Sequence, residues 1–240
     1  MTHPDPARTD VSAPAPLTAP IAIGDVHGCL AELDELLAQL PPDRHLVFLG
    51  DYVDRGPDNR GVLARVRSLV EAGRATALLG NHDEMMINSL LNADEGAREI
   101  WLRNGGQATL DNYASEAEAA QDALWMQEHL RPHVTIGPVL FSHAMRPDPT
   151  GQDVHAHLWG RPATDRGPSD TPFYPLPDGV THSVHGHTPM MYGPTCLQLI
   201  DETVAVFIDT GCVFGRTLTA IDTATWAALS VPARPATPTP

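Results

Sequence analysis

The sequence predicts one α/β domain over residues 21–231, and three observations carry that prediction. Short apolar runs at Ile21-Ala22-Ile23, Leu46-Val47-Phe48-Leu49 and Ala77-Leu78-Leu79 each end in a glycine-flanked polar loop, as buried strands do at the carboxyl edge of an open α/β sheet. Between the first two runs, leucines recur at helical spacing, which gives the alternation of a βαβ unit. The chain of 240 residues is 42% hydrophobic and 5% aromatic, enough for one sizeable core of Leu, Val, Ile and Ala.

The elements follow in order. Residues 1–20 and 232–240 are rich in Pro, Ala and Thr and read as disordered tails. Leu30, Leu33, Leu36, Leu37 and Leu40 form a helical stripe that Pro41-Pro42 stops. Pro57 opens a second helix with Val62, Leu63, Val66, Leu69 and Val70 on its buried face, and Gly73 stands where a C-terminal cap belongs. From Glu84 to about Leu130 the pattern is helical without clear strands, broken at Asn104-Gly105-Gly106, and predicts a helical insertion beside the loops. Strands return at Val134-Thr135-Ile136 and Val139-Leu140-Phe141, the second ending in Ser142-His143-Ala144. Residues 145–180 are rich in Pro, Asp and Gly and read as a long irregular segment. Thr181 to Val184 then leads into His185-Gly186-His187-Thr188, and 196–199, 204–208 and 217–221 read as successive antiparallel strands, making the second half a β meander.

Composition narrows the function. Net charge is −15, from 15 Lys+Arg against 30 Asp+Glu, and every basic residue is arginine. General binding to nucleic-acid backbones needs a basic footprint, and this balance argues against it. An acidic protein with an anionic substrate must concentrate positive charge locally, through metal ions or a few placed arginines. Cys29, Cys196 and Cys212 have no Cys-x-x-Cys spacing, so neither a disulfide framework nor a structural zinc knot is indicated. Residues 1–20 lack the continuous apolar core of a signal peptide, and no run approaches transmembrane length. The expectation is a cytoplasmic protein with no membrane partner; oligomeric state is left open.

The polar loops carry the candidate chemistry. Asp25 and His27 follow the first strand, Asp51 the second and Asn81 the third, while His143 and His187 end two later strands. In Asp25-Val26-His27 the two side chains are two apart, so on an extended segment they point the same way. Six such groups suit two divalent ions: Asp25 and His27 on the first, Asn81, His143 and His187 on the second, with Asp51 bridging. Oxygen and imidazole donors without thiolate suit manganese, iron or zinc, and spacing alone does not choose among them.

Together, Gly24-Asp25-Val26-His27-Gly28, Gly50-Asp51-Tyr52-Val53-Asp54-Arg55-Gly56, Gly80-Asn81-His82-Asp83, Ser142-His143-Ala144 and His185-Gly186-His187-Thr188 resemble the signature of the phosphoprotein phosphatase family of metallophosphoesterases. Its bacterial branch includes protein phosphatases and symmetrical diadenosine tetraphosphate hydrolases. Trp101 to Leu110 and Ile208-Asp209-Thr210-Gly211 are similar to accessory motifs of that branch. The resemblance implies a calcineurin-like fold, with two mixed β-sheets sandwiched between helices. It implies the same ligand grouping, His82 as general acid, Asp54 as its orienting carboxylate, and Arg55 with Asn81 and Arg161 on the phosphoryl oxygens. His185 then reads as a residue beside the ligands or a mere strand end, since the family's ligand matches His187. His155 and His157 read as a solvated pair, Cys212 as a small packed residue, and the four tryptophans as core, with Trp159 bordering the cleft. The implied substrate is a phosphoprotein, at phosphoserine or phosphothreonine, or a phosphorylated small molecule. The alternatives are diadenosine tetraphosphate and a non-catalytic scaffold on the same fold.

Overall fold

Strand β1 (Ile21–Ile23), helix α1 (Leu30–Gln39) and strand β2 (Leu46–Phe48) form the expected βαβ unit, with Ile21 paired to Leu46 and Ile23 to Phe48 in parallel. The computed structural model describes residues 19–92, 95–163 and 167–234. Helix α2 (Asn59–Glu71) leads to β3 (Ala75–Ala77), parallel to β2. Asp58 caps α2 by accepting from Gly61 N–H at 2.8 Å, and Gly73 turns the chain out of it at φ 70°. Strand β3 ends earlier than the apolar run suggests. Leu78 and Leu79 continue the path, their N–H groups donating to the carbonyls of Phe48 and Arg131.

The helical insertion comprises α3 (Asn81–Leu91), α4 (Glu95–Trp101), a π-helical turn (Leu102–Gly106), α5 (Gln107–Leu110) and α6 (Glu116–His129). Its break falls at Gly105, φ 111°, whose carbonyl accepts from Arg55 N–H at 3.3 Å. The insertion therefore packs against the second polar loop itself.

Next come β4 (His133–Ile136), β5 (Val139–Ser142), the short α7 (Ala156–Trp159) within the otherwise irregular segment, β6 (His182–His185), β7 (Thr195–Gln198) and β8 (Val204–Phe207). A 3₁₀ turn (Cys212–Phe214), β9 (Thr217–Asp222) and β10 (Ala228–Pro232) complete the described chain. Two mixed sheets result, ordered β10-β9-β1-β2-β3 and β4-β5-β6-β8-β7.

The second half is not a meander. β6 pairs in parallel with both β5 and β8, β7 and β8 form an antiparallel pair, and β9 crosses to the first sheet, antiparallel to β1. Strands β6 and β8 are mostly buried, as central strands of a covered sheet must be, whereas β7 lies half-exposed at an edge. Strand β10 reaches Pro232, beyond the boundary expected at residue 231, and Arg234 N–H still bonds Glu32. At the other end, the carbonyl of Pro20 accepts from Thr223. The remainder of both expected tails lies outside the described residues.

Strand alternation sorts the core. Ala22, Val47 and Leu49 face Phe141, Val184, Val206 and Ile208 of the other sheet, while Ile21, Ile23, Leu46 and Phe48 join the residues packed with α1 and α2. The two inner faces thus meet directly beneath the loops that leave their carboxyl ends.

Candidate metal centre and acid–base site

Five polar side chains of these loops sit on residues that L-amino acids seldom place at positive φ: His27 (43°), Asp51 (55°), Asp54 (75°), Arg55 (70°) and His187 (63°). Each such residue costs on the order of 1–3 kcal/mol, and such strain persists where surrounding structure fixes it. The surroundings are close. A Cβ on Gly80 would stand 2.2 Å from Asp51 Oδ1, and one on Gly186 would stand 2.0 Å from Asp25 Oδ1. Asp83 fixes the second loop by accepting from the N–H groups of Gly80, Asp51 and Tyr52 at 2.8–3.0 Å.

Backbone carbonyls set the histidine tautomers. His27 Nδ1 lies 2.6 Å from Val53 O and His143 Nδ1 lies 2.8 Å from Leu49 O. A carbonyl only accepts, so both Nδ1 atoms carry the proton and both Nε2 atoms of the neutral rings present lone pairs. Those lone pairs face further acceptors. His27 Nε2 is 3.3 Å from Asp51 Oδ2, and His143 Nε2 is 3.4 Å from Asp51 Oδ1 and 3.0 Å from Asn81 Oδ1. His187 Nδ1 is 2.8 Å from Asn81 Oδ1, while its buried Nε2 has no hydrogen-bond partner. Donor atoms of Asp51, His143 and His187 lie within 4.8 Å of one another, as do those of His27, Asp51 and His82. Lone pairs converging on lone pairs in a buried site require a cation, and these oxygen and imidazole donors fit divalent metal ions.

Electrostatics agree for His143 and His187 and run the other way for His27. Burial pushes Asp51 upward, but His143, His82 and His27 outweigh it and hold its carboxyl well below the usual range. Burial, then the charges of Asp209 and Asp51, push Asp25 well above that range. Burial lowers His143, and burial followed by His143 and Arg161 lowers His187 well below normal, which favours neutral imidazoles. For His27 burial is again the largest influence and pulls down, yet the hydrogen bond and charge of Asp51 leave the net shift upward.

Beside this cluster stands a dyad. His82 Nδ1 lies 2.7 Å from Asp54 Oδ2. Asp54 is fully buried, and its carboxylate also accepts from Trp101 Nε1 at 2.9 and 3.1 Å and from the Thr109 hydroxyl at 2.7 Å. Arg55 reaches across the mouth: its guanidinium donates to His82 Nε2 at 2.7 Å and to His27 Nε2 at 2.9 Å. It is the cation that meets those two lone pairs in this structure.

Most of the expected residues come together, with differences. The backbone turns at His27, so Asp25 and His27 do not share a face of an extended segment. Asp25 instead accepts from His187 N–H at 2.9 and 3.1 Å, feels the charge of Asp209, and joins no close ligand group among the described residues. Arg161 is exposed, with its backbone N–H bonded to Asp170, and its charge reaches the site through His187. His185 ends β6, buried against Phe207 and Ser142 with its pKa lowered to about 3 by burial, and joins no ligand group among the described residues. His155 and His157 join none either, and burial lowers His157 to about 4. Trp159 lies 6.5 Å from the His187 ring and donates to Glu84. Trp101 is core, but its indole N–H also holds Asp54. That role, together with those of Thr109 and Asp209, escaped the residue-by-residue reading, although all three lie in the accessory motifs noted above. Burial raises Asp209 to about 6.

Comparison with known proteins accords with this geometry. Residues 21–191 match the family described as Calcineurin-like phosphoesterase. Serine/threonine-protein phosphatase 1 of Salmonella typhimurium is 32% identical over 214 residues, 82% of this chain and 88% of its own length. An asymmetrical Bis(5'-nucleosyl)-tetraphosphatase of Oceanobacillus iheyensis is 31% identical over 221 residues, 82% of this chain and 86% of its own. A solved serine/threonine phosphatase of Saccharomyces cerevisiae shares the fold at TM-score 0.60 and 14% identity, over 92% of this chain and 81% of its own. Among the described residues no helix is long and apolar enough to cross a membrane.

Proposed function

This chain belongs to the calcineurin-like phosphoesterase family, and on that premise we propose that it removes phosphate from phosphoserine and phosphothreonine in proteins. It is a metal-dependent hydrolase of the phosphatase type. The observation that carries the substrate reading is the Asp54–His82 dyad, held by Trp101 and Thr109 beside the converging donors. A serine alkoxide is a poor leaving group and must be protonated as the bond to phosphorus breaks, and a carboxylate-oriented histidine supplies that proton.

The ligands we assign are Asp25 and His27 for one ion, Asn81, His143 and His187 for the other, and Asp51 shared, with manganese as the first expectation. When bound, the two ions supply Lewis acidity to the phosphoryl oxygens and lower the pKa of the attacking water. The chain's own residues do the rest. Arg55 leaves the two imidazoles for the phosphoryl oxygens, where its planar fork matches two oxygens at once, with Asn81 and Arg161 completing the phosphate contacts. That movement frees His82 Nε2 to carry a proton toward the leaving oxygen, while Asp54 holds Nδ1–H and stabilises the positive ring. Water attacks phosphorus directly, without a covalent phosphoenzyme.

A second reading is hydrolysis of a dinucleoside tetraphosphate, favoured by relatives named for that activity and served by the same centre. One assay decides: manganese-loaded protein on phosphoserine, phosphothreonine and phosphotyrosine peptides and on diadenosine tetraphosphate. The proposal expects the highest kcat/KM on phosphoserine or phosphothreonine. An efficiency on diadenosine tetraphosphate exceeding the best peptide by tenfold or more, about 1.4 kcal/mol in transition-state binding, would reverse the order.

A further inference from the structure

One group of metal-type side chains among the described residues takes no part in this chemistry. Cys29 stands at the start of α1, Glu32 lies one turn on, and Cys212 opens the 3₁₀ turn that packs against them. The two sulfurs and a Glu32 carboxylate oxygen all lie within 4.8 Å of one another. All three residues are buried, at 6%, 6% and 3% exposure.

We propose that Cys29, Glu32 and Cys212 bind one zinc ion, at a site separate from the oxygen- and imidazole-lined centre. Three arguments support it. The first is donor chemistry: two sulfurs and a carboxylate select zinc and its softer relatives over manganese or magnesium, whereas the catalytic donors include no sulfur. The second is charge. A carboxylate buried this deeply needs a compensating partner, yet its one hydrogen bond among the described residues is from Arg234 backbone N–H at 2.7 Å, while the Arg234 guanidinium turns to Glu35. No arginine or histidine pairs with Glu32 among the described residues. The third is geometry. Zinc–sulfur bonds of about 2.3 Å place two sulfurs of a tetrahedral site roughly 3.8 Å apart, so side chains already within 4.8 Å close on an ion by small rotations.

The ion also has a way in. The same three residues line a cavity of about 870 Å³, bordered by Arg55, Pro57 and Arg234, within the size of small-ligand pockets. Three protein donors leave the fourth tetrahedral position to water from that cavity, and binding releases the two thiol protons to solvent. The site ties the loop carrying His27 to the loop that follows Asp209, since Cys29 and Cys212 each lie within three residues of them.

Cobalt is the probe. The protein is kept reduced, its catalytic centre is filled with manganese, and Co²⁺ is titrated while the near-ultraviolet thiolate-to-cobalt charge-transfer band is recorded. Only a sulfur-ligated site yields that band, so its result is independent of whether the catalytic assignment holds. The expected outcome is a band saturating at one equivalent, abolished by one equivalent of Zn²⁺, lost in Cys29→Ser and Cys212→Ser, and kept in Cys196→Ser, whose thiol is exposed. Glu32→Gln should weaken zinc binding at least tenfold with the fold intact. No band in the wild-type protein, or a band that disappears only in Cys196→Ser, overturns the proposal.

Discussion

Replacing His82 by Asn tests the acid–base dyad through the leaving group. His82 is held by Asp54 at 2.7 Å, and Asp54 by Trp101 at 2.9 Å and Thr109 at 2.7 Å, so the ring is aimed before substrate arrives. A positioned general acid contributes about 100- to 10,000-fold where the proton is needed, or about 3–5 kcal/mol. His82→Asn should therefore lower phosphoserine turnover by that range, and p-nitrophenyl phosphate turnover by less than about tenfold, because p-nitrophenolate departs without a proton. Asp54→Asn should show the same selectivity in milder form. An asparagine there can still accept from Trp101 and Thr109, but it lacks the charge that stabilises the protonated ring. The assay is the ratio of turnover on the two substrates for wild type and both variants, with two metals per chain verified by elemental analysis. Equal losses on both substrates at full metal occupancy would refute the general-acid role and make His82 a stabiliser of phosphoryl charge whatever is leaving.

Three further outcomes follow from the same geometry. Asp51→Asn should reduce bound metal from two towards one or none and lower turnover more than any other single ligand change; a variant with two tightly bound metals and wild-type turnover ends the bridging assignment. Gly80→Ala places a methyl 2.2 Å from Asp51 Oδ1, and displacing that carboxylate should cost about a hundredfold in turnover with the circular dichroism spectrum retained; unchanged activity would show that Asp51 need not sit where it does. Asp209 has a folded pKa of about 6 against 3.8 unfolded, so metal-free native protein binds more protons than unfolded protein between those values and Asp209's contribution falls as pH rises through them. Urea unfolding should show Asp209→Asn gaining on wild type by roughly 3 kcal/mol between pH 3.5 and 7, and a pH-independent difference would contradict the raised pKa.

The sequence made legible whatever depends on local periodicity or on residue type at a strand end. Strand β1, helix α1 and strand β2 have short apolar runs, a helical leucine stripe and glycine stops, and each forms where those signals lie. All the proposed ligands are polar residues just beyond apolar strands, so they could be named without knowing how the strands pair. Pairing itself was less legible. The run at 217–221 reads like its neighbours, yet it joins the other sheet, because alternation reveals a buried face and not which sheet buries it. Trp101 shows the same limit at the site. A tryptophan among helical residues reads as core, and only the approach of α4 to the second polar loop makes its indole N–H a partner of Asp54, 47 residues away.

The parallel pairing of β5 and β6 has a consequence that an antiparallel meander would not. Parallel neighbours release their following loops at the same edge, so His143 after β5 and His187 after β6 emerge side by side, their rings 5.1 Å apart. The parallel strands β1 and β2 do the same for His27 and Asp51 on the first sheet. Because the inner faces of both sheets pack on each other, the two edges lie against one another, and Asp51 meets His27 from its own sheet and His143 from the opposite one. The bridging role proposed for Asp51 needs a carboxylate reached from two sides, and this topology provides both sides from rigid strands. The mixed sheets therefore matter to function through strand direction: reversing β6 alone would carry His187 to the far edge and leave Asn81 without its second imidazole.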